Sequence, residues 1–193
     1  MVSVIRTADV TDAEQILTIY DPIVTQTAIS FEVTPPTVDE MRTRISSTLA
    51  RLPWLVCSEA EDLLGYAYAS QHRLRAAYQW SVDVSVYVRP EAHRRGVGRT
   101  LYGSLFEILR SQGFYNGFAG ITLPNEASIA LHRGLGFEPV GIYQRVGYKL
   151  GRWHDVSWWQ LTLRPADDFP SAPRKFATPG DSNETRQDAP GAK

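Results

Sequence analysis

The chain has 193 residues, enough for one domain with its own core, and 20 Lys and Arg against 21 Asp and Glu give a formal net charge of -1. That balance excludes a strongly basic nucleic-acid binder on bulk electrostatics, while leaving room for a local anion site. The single cysteine excludes an intrachain disulfide and a thiolate metal centre, no metal site is expected, and no apolar run approaches the roughly 20 residues of a membrane helix.

Residues 2–6 alternate apolar and polar and predict a first strand. Thr11 and Glu14 have capping-box spacing ahead of Ile16, Leu17, Ile19 and Tyr20, which predicts a helix. Thr37 and Glu40 repeat the cue before a second helix over 41–50. Residues 54–59 and 63–69 read as a hairpin of two strands, with Cys57 inside an apolar run where a buried, inert thiol is expected. The clearest strand is 82–88, with Val at every second position. A helix over 101–109 follows, closed by Gly113, then a strand over 117–122 and a short helix opening at Asn125. The aromatic-rich region 137–163 reads as a strand, a loop and a final strand over 155–163. This mixture, without strict βαβ alternation, predicts an α/β (α+β) layer with a mixed, mostly antiparallel sheet. Beyond Pro165 there is no Leu, Ile, Val, Met, Trp or Tyr. Such a segment buries too little apolar surface to offset its ordering entropy, so 1–165 is the expected domain and 166–193 an expected disordered tail.

The segment His93, Arg94, Arg95, Gly96, Val97, Gly98, Arg99 joins the best strand to the best helix. Glycines at a helix start let the backbone approach a ligand, and the free N–H groups of the first turn, with the helix dipole behind them, suit a phosphate or pyrophosphate. The Lys-Ser/Thr of a P-loop is absent, and Leu101 stands where a dinucleotide fold has its third Gly. A glycine-rich turn with solvated arginines is the alternative reading of the loop alone.

His93-x-x-Gly96-x-Gly98 resembles the acyl-CoA pyrophosphate loop of the GNAT N-acetyltransferase superfamily, and it occupies that loop's place after a strand and before a long helix. Asn125, Ser128, Leu131, His132, Gly136 and Phe137 resemble the superfamily's second segment. Across residues 1–163, the segments 28–32, 51–56, 77–80, 86–88 and 151–156 resemble the phosphinothricin and methionine sulfoximine acetyltransferases. Two departures stand out: His93 replaces the usual Gln or Arg, and His132 replaces a Tyr that many relatives carry.

The resemblance implies a GNAT fold with acetyl-CoA between splayed strands 82–88 and 117–122, and direct attack of an amine on the thioester. It places the pantetheine arm along the first of these strands at Val86, Tyr87 and Val88, the thioester carbonyl on the backbone N–H groups of 84–88, and the pyrophosphate on the 93–99 loop, with Asn125 and Ser128 nearby. It implies Asp83 as proton acceptor; an acid among valines is otherwise costly. A free Asp near pKa 3.9 taking a proton from an amine near 8 works about 4 units uphill, roughly 5.5 kcal/mol. So Asp83 has a raised pKa, works through water, or mainly holds the ammonium. His132 either protonates the leaving thiolate, contacts the cofactor or is a packed helix histidine, and Asn125 caps its helix as well as contacting CoA. Arg73 and Arg75 suit an acidic amino-acid analogue. Val82 and Val84 flank Asp83 at the substrate, Phe31 and Tyr78 form an apolar wall, and His154 shapes the pocket or a subunit contact. The expected protein is a cytoplasmic homodimer that detoxifies such analogues, as in herbicide resistance, without nucleic-acid or membrane partners. A GNAT enzyme for another amine and a silent acyl-CoA-binding module are the alternatives.

Overall fold

The computed structural model describes residues 3–177. Seven strands form one sheet: β1 (Val4–Thr7), β2 (Trp54–Glu59), β3 (Asp62–Gln71), β4 (Ser81–Val88), β5 (Asn116–Thr122), β6 (Glu138–Lys149) and β7 (Arg152–Thr162). The spatial order is β1-β2-β3-β4-β5-β7-β6, and every neighbouring pair is antiparallel except β4 and β5. The helices are α1 (Ala13–Gln26), α2 (Val38–Leu49), α3 (Val97–Gln112) and α4 (Glu126–Gly134).

The period-two pattern of β4 sorts its side chains to the two faces of the sheet. Val82 and Val84 are buried in the core under α3, together with Leu101, Leu105 and Leu109, and Val86 and Val88 pack against it. On the opposite face Tyr87 packs on the second core, which α1 and α2 build around Ile16, Tyr20, Met41, Ile45 and Tyr66. Asp83, of the same parity as Tyr87, therefore belongs to the α1/α2 face.

Three local readings change. The capping box before α1 is formed by Asp9 and Asp12, not Thr11 and Glu14: Thr11 donates its N–H to Asp9 at 2.9 Å, and Asp12 accepts from the Asp9 N–H at 2.8 Å while pairing with both Arg6 nitrogens at 2.7 Å. The capping box of Thr37 and Glu40 forms as expected. The loop expected within 137–163 is only the turn at Leu150 and Gly151, with φ of 51° and 77°. β6 is a full strand whose register slips between Tyr143 and Gly147, where the Asp155 carboxylate accepts the Arg145 N–H at 2.7 Å. Those irregularities break the alternation by which a strand is read from sequence. Residues 166–177 contain no helix or strand, but part of this stretch lies on the domain. Arg174 N–H donates to the Gln112 carbonyl at 2.7 Å, Phe176 N–H to the Arg51 carbonyl at 3.0 Å, and the Trp80 indole to the Ser171 carbonyl at 2.9 Å. The rest of the expected tail, 178–193, lies outside the described residues.

Candidate active site

β4 and β5 are paired only through Ser81–Asn116, Val82–Gly117 and Asp83–Phe118; beyond Asp83 the strands part. The direction of the freed backbone groups follows from neighbouring bonds. Arg89 N–H donates to Leu64 on the β3 side, and the Trp80 carbonyl accepts from Tyr115 and Asn116 on the β5 side. With N–H and C=O alternating sides along a strand, Ser85 and Tyr87 bond β3 while Val84, Val86 and Val88 face β5; the Asp83–Phe118 pairing takes the Val84 N–H to the Phe118 carbonyl, so the Val84 carbonyl, both Val86 groups and the Val88 N–H turn into the gap. The gap thus has an unpaired strand edge, ready to receive an extended ligand as an added strand.

The loop after β4 closes one end of this gap. His93 Nε2–H donates to the Val88 carbonyl at 2.9 Å, tying the loop to the strand. Gly96 caps α3 with φ of 83°, a left-handed conformation that costs Gly nothing, and it offers no side chain to the helix's free N–H groups. A Cβ on Gly98 would lie 3.3 Å from Leu131 and 3.7 Å from Val88, so the missing side chain lets α3 press against β4 and α4. The arginines divide by partner. Arg95 pairs with Glu59 at 2.9 Å and Arg99 donates to the Gly134 carbonyl at 3.0 Å, so both have structural partners. Among the described residues Arg94 makes no side-chain hydrogen bond, which leaves it as the loop's available cation beside the α3 N-terminus.

At the vertex of the fork is a polar cluster. Asp83 accepts from His72 Nδ1 at 2.6 Å, with side chains 27% and 11% exposed. The His72 ring stacks at 4.4 Å on Phe118, the β5 residue paired with Asp83, and meets Tyr78 edge-on at 5.9 Å and Trp158 at 6.5 Å. Arg73 lies over the Trp158 ring at 5.8 Å. Burial raises the Asp83 pKa, against the lowering effect of His72 and Arg73. His72 and Trp158 are not among the expected site residues. The sequence signal for His72 is faint: it lies one residue beyond the end of β3, diagonal to Asp83 across the β3–β4 register, and an irregular loop hides that register. The Trp158 indole nitrogen is buried without a partner, beside the Arg73 guanidinium.

Other expected residues sit elsewhere. Val82 and Val84 point into the core, so only their backbones adjoin the fork. His132 is 4% exposed, donates Nδ1–H to the Ser128 carbonyl at 2.8 Å and accepts the Tyr102 hydroxyl at 3.2 Å on Nε2. With both nitrogens engaged it fastens α4 to α3 as a packed helix histidine, and burial lowers its pKa. Asn125 caps α4 by accepting the Ser128 N–H at 3.1 Å. His154 is buried, donates to the Lys149 carbonyl at 3.0 Å and lies 6.3 Å from the half-open Phe31 ring, so it backs that wall instead of facing the vertex. Tyr78 joins the cluster through His72, whereas the Arg75 side chain is exposed and makes no hydrogen bond to a described residue. No group of three or more His, Cys, Asp or Glu able to hold a metal occurs among the described residues.

The profile of the acetyltransferase (GNAT) domain family matches residues 5–158. A phosphinothricin N-acetyltransferase of Streptomyces coelicolor is 40% identical over 156 residues, 79% of this chain and 91% of that protein. An L-methionine sulfoximine/L-methionine sulfone acetyltransferase of Pseudomonas aeruginosa is 40% identical over 169 residues, 86% of this chain and 98% of that one. The crystal structure of a GNAT superfamily phosphinothricin acetyltransferase from Sinorhizobium meliloti, in complex with acetyl-CoA, superposes with a TM-score of 0.80 at 35% identity, covering 94% of this chain and 98% of that one.

Proposed function

Because the chain belongs to the GNAT acetyltransferase family, and is an acetyl-CoA-dependent N-acetyltransferase, we propose that its acceptor is the α-amine of a small amino-acid analogue such as phosphinothricin, methionine sulfoximine or methionine sulfone. The observation that carries this reading is the placement of the Asp83–His72 pair at the vertex of the fork, with Arg73 beside it. The carboxylate suits an ammonium, and the guanidinium suits the oxygen-rich end of the same molecule.

The residues present fit acetyl-CoA. The gap-facing edge has an unpaired acceptor at the Val84 carbonyl, an unpaired donor and acceptor at Val86 and an unpaired donor at the Val88 N–H, and the α3 N-terminus behind Gly96 is open to an anion. When bound, the cofactor supplies an acetyl thioester. The Val86 and Val88 N–H groups and the Val84 and Val86 carbonyls would hold its arm, with the N–H groups as donors for the thioester, and Arg94 and the first turn of α3 would hold its phosphates. The hydrogen-bonded Asp83–His72 pair receives the ammonium and its proton as a unit, Arg73 holds the acidic group of the acceptor, and Phe31 and Tyr78 exclude water around its apolar part. Asn125 and Ser128 serve mainly to shape α4.

Two finer readings belong here. The protein acts as a cytoplasmic homodimer: Val140, Ile142, Tyr143, Val146, Tyr148 and Trp153 on the β6–β7 hairpin are all at least 49% exposed, an apolar surface suited to a second copy. Its role is detoxification of such analogues, including herbicides of this class. The test is thiol release from acetyl-CoA with phosphinothricin, methionine sulfoximine, methionine sulfone, glutamate, spermidine and a short peptide. Saturable turnover on the first three, reduced in Arg73→Gln, supports the reading. Turnover confined to the last three overturns the acceptor assignment.

A further inference from the structure

We propose that the atom taking the ammonium proton is His72 Nε2, and that Asp83 is a positioning residue that holds the imidazole in the tautomer able to accept it. The inference rests on the N-acetyltransferase reading and deepens it by naming the acceptor.

The geometry determines which nitrogen is free. An ionised carboxylate only accepts, so at 2.6 Å the hydrogen lies on His72 Nδ1, and a neutral imidazole with Nδ1–H has its lone pair on Nε2. Among the described residues Nε2 has no hydrogen-bond partner, and it is not sealed in the interior. The ring is also held in place. Phe118 stacks beneath it at 4.4 Å, and Tyr78 and Trp158 meet its edges. Phe118 belongs to the last β4–β5 pair before the strands part, so the ring stands over the point where the acyl group and amine must meet.

Chemistry favours the imidazole over the carboxylate. As a class an imidazole is a stronger base than a carboxylate, so a proton leaving an amine has less far to climb to a ring nitrogen. The charged groups facing the ring are Asp83 from β4 and Arg73 next to it in the chain; Tyr78 is the other titratable neighbour, and β5 and β7 present the uncharged Phe118 and Trp158. An imidazolium formed there is balanced by the Asp83 carboxylate, the division of labour of a histidine–aspartate dyad.

The step balances as follows. The substrate ammonium gives one proton to Nε2, and its freed lone pair forms the N–C bond as the C–S bond breaks, its electron pair leaving on sulfur. The nitrogen loses a second proton as it becomes an amide, and the thiolate takes up one proton to give the free thiol. His72 returns the first proton to solvent.

The test is His72→Phe, which keeps a ring on Phe118 and removes both nitrogens. Its kcat/KM falls about 1000-fold while Tm and CoA affinity hold, Asp83→Asn falls about 100-fold, and the double variant is no worse than His72→Phe by more than a few-fold. In His72→Gly, added imidazole restores activity at least tenfold. Independently of turnover, the ¹⁵N spectrum of the resting protein at pH 8 shows His72 protonated on Nδ1 and bare on Nε2, and Asp83→Asn loses that preference. The inference is overturned if His72→Phe stays within threefold of wild type while Asp83→Asn is inactive, or if the resting tautomer carries its proton on Nε2. An inactive wild-type chain with every amine would instead mark failure of the acetyltransferase reading, which separates the two.

Discussion

The strand edge facing the gap allows a parity test with proline. Val86 turns its N–H into the gap, whereas the N–H of Ser85, one residue earlier, bonds β3 opposite Tyr68. Proline removes one N–H in either case. At Ser85 it breaks a ladder bond inside the sheet and strands the partner carbonyl, a cost of about 3 kcal/mol, or a Tm lowered by roughly 6–12 °C for a domain of this size. At Val86 no ladder bond is lost and proline remains apolar against α3, so the cost is about 1 kcal/mol of strain and packing. The ligand-facing donor is lost instead. A net hydrogen bond of about 1–1.5 kcal/mol corresponds to CoA binding weakened roughly 5- to 10-fold. Thermal melting and calorimetric titration with CoA read the two effects separately. Equal destabilisation by both variants, with CoA affinity unchanged in Val86→Pro, would refute the assignment of the gap-facing edge.

His132→Phe should lower Tm while kcat changes by no more than a few-fold, because both ring nitrogens bind protein groups. Its pH dependence has a definite sign. Burial holds the folded pKa below the usual 6.5, so the stabilising contribution is present above about 6.5 and is lost as pH falls toward the folded value. Melts at pH 7.5 and 5.5 should show a smaller acid-induced drop in His132→Phe than in wild type. Asp83 has the opposite sign: burial raises its folded pKa, so its ionised form weighs on stability as pH rises past that of an ordinary carboxylate. Asp83→Asn should therefore melt no lower than wild type at pH 8 while turning over about 100-fold more slowly, and a large loss of Tm would contradict this. Arg94→Gln should weaken CoA binding about 2- to 5-fold at low salt, an effect shrinking in 0.5 M NaCl, whereas Arg95→Gln, whose side chain pairs with Glu59, should leave the affinity unchanged.

Local rules read from the sequence carried most of the frame. The Val alternation over 82–88 marks a strand with two dissimilar faces, and the spacing of Thr37 and Glu40 marks a helix start that the structure contains. Gly96 and Gly98 announce a close backbone approach before α3, and the residues that carry the family resemblance lie in order along the chain. Each of these signals lies within a few residues, where the covalent chain itself sets the geometry. What tertiary structure alone decided involves partners distant in sequence. His72 meets Asp83 across an irregular loop, and the stacking partner of its ring, Phe118, comes from a strand beyond α3. The loop arginines are divided by Glu59 and Gly134, groups 36 and 35 residues away, so a run that reads as three equal cations leaves Arg94 available. His132 reads from sequence as acid, cofactor contact or packing, and only the fold shows that Tyr102, on another helix, bonds its Nε2. Hydrogen bonding and burial depend on which groups share a point in space. The pattern along one chain specifies the elements, and only their packing specifies which of the chemically capable side chains are already satisfied and which are free to act.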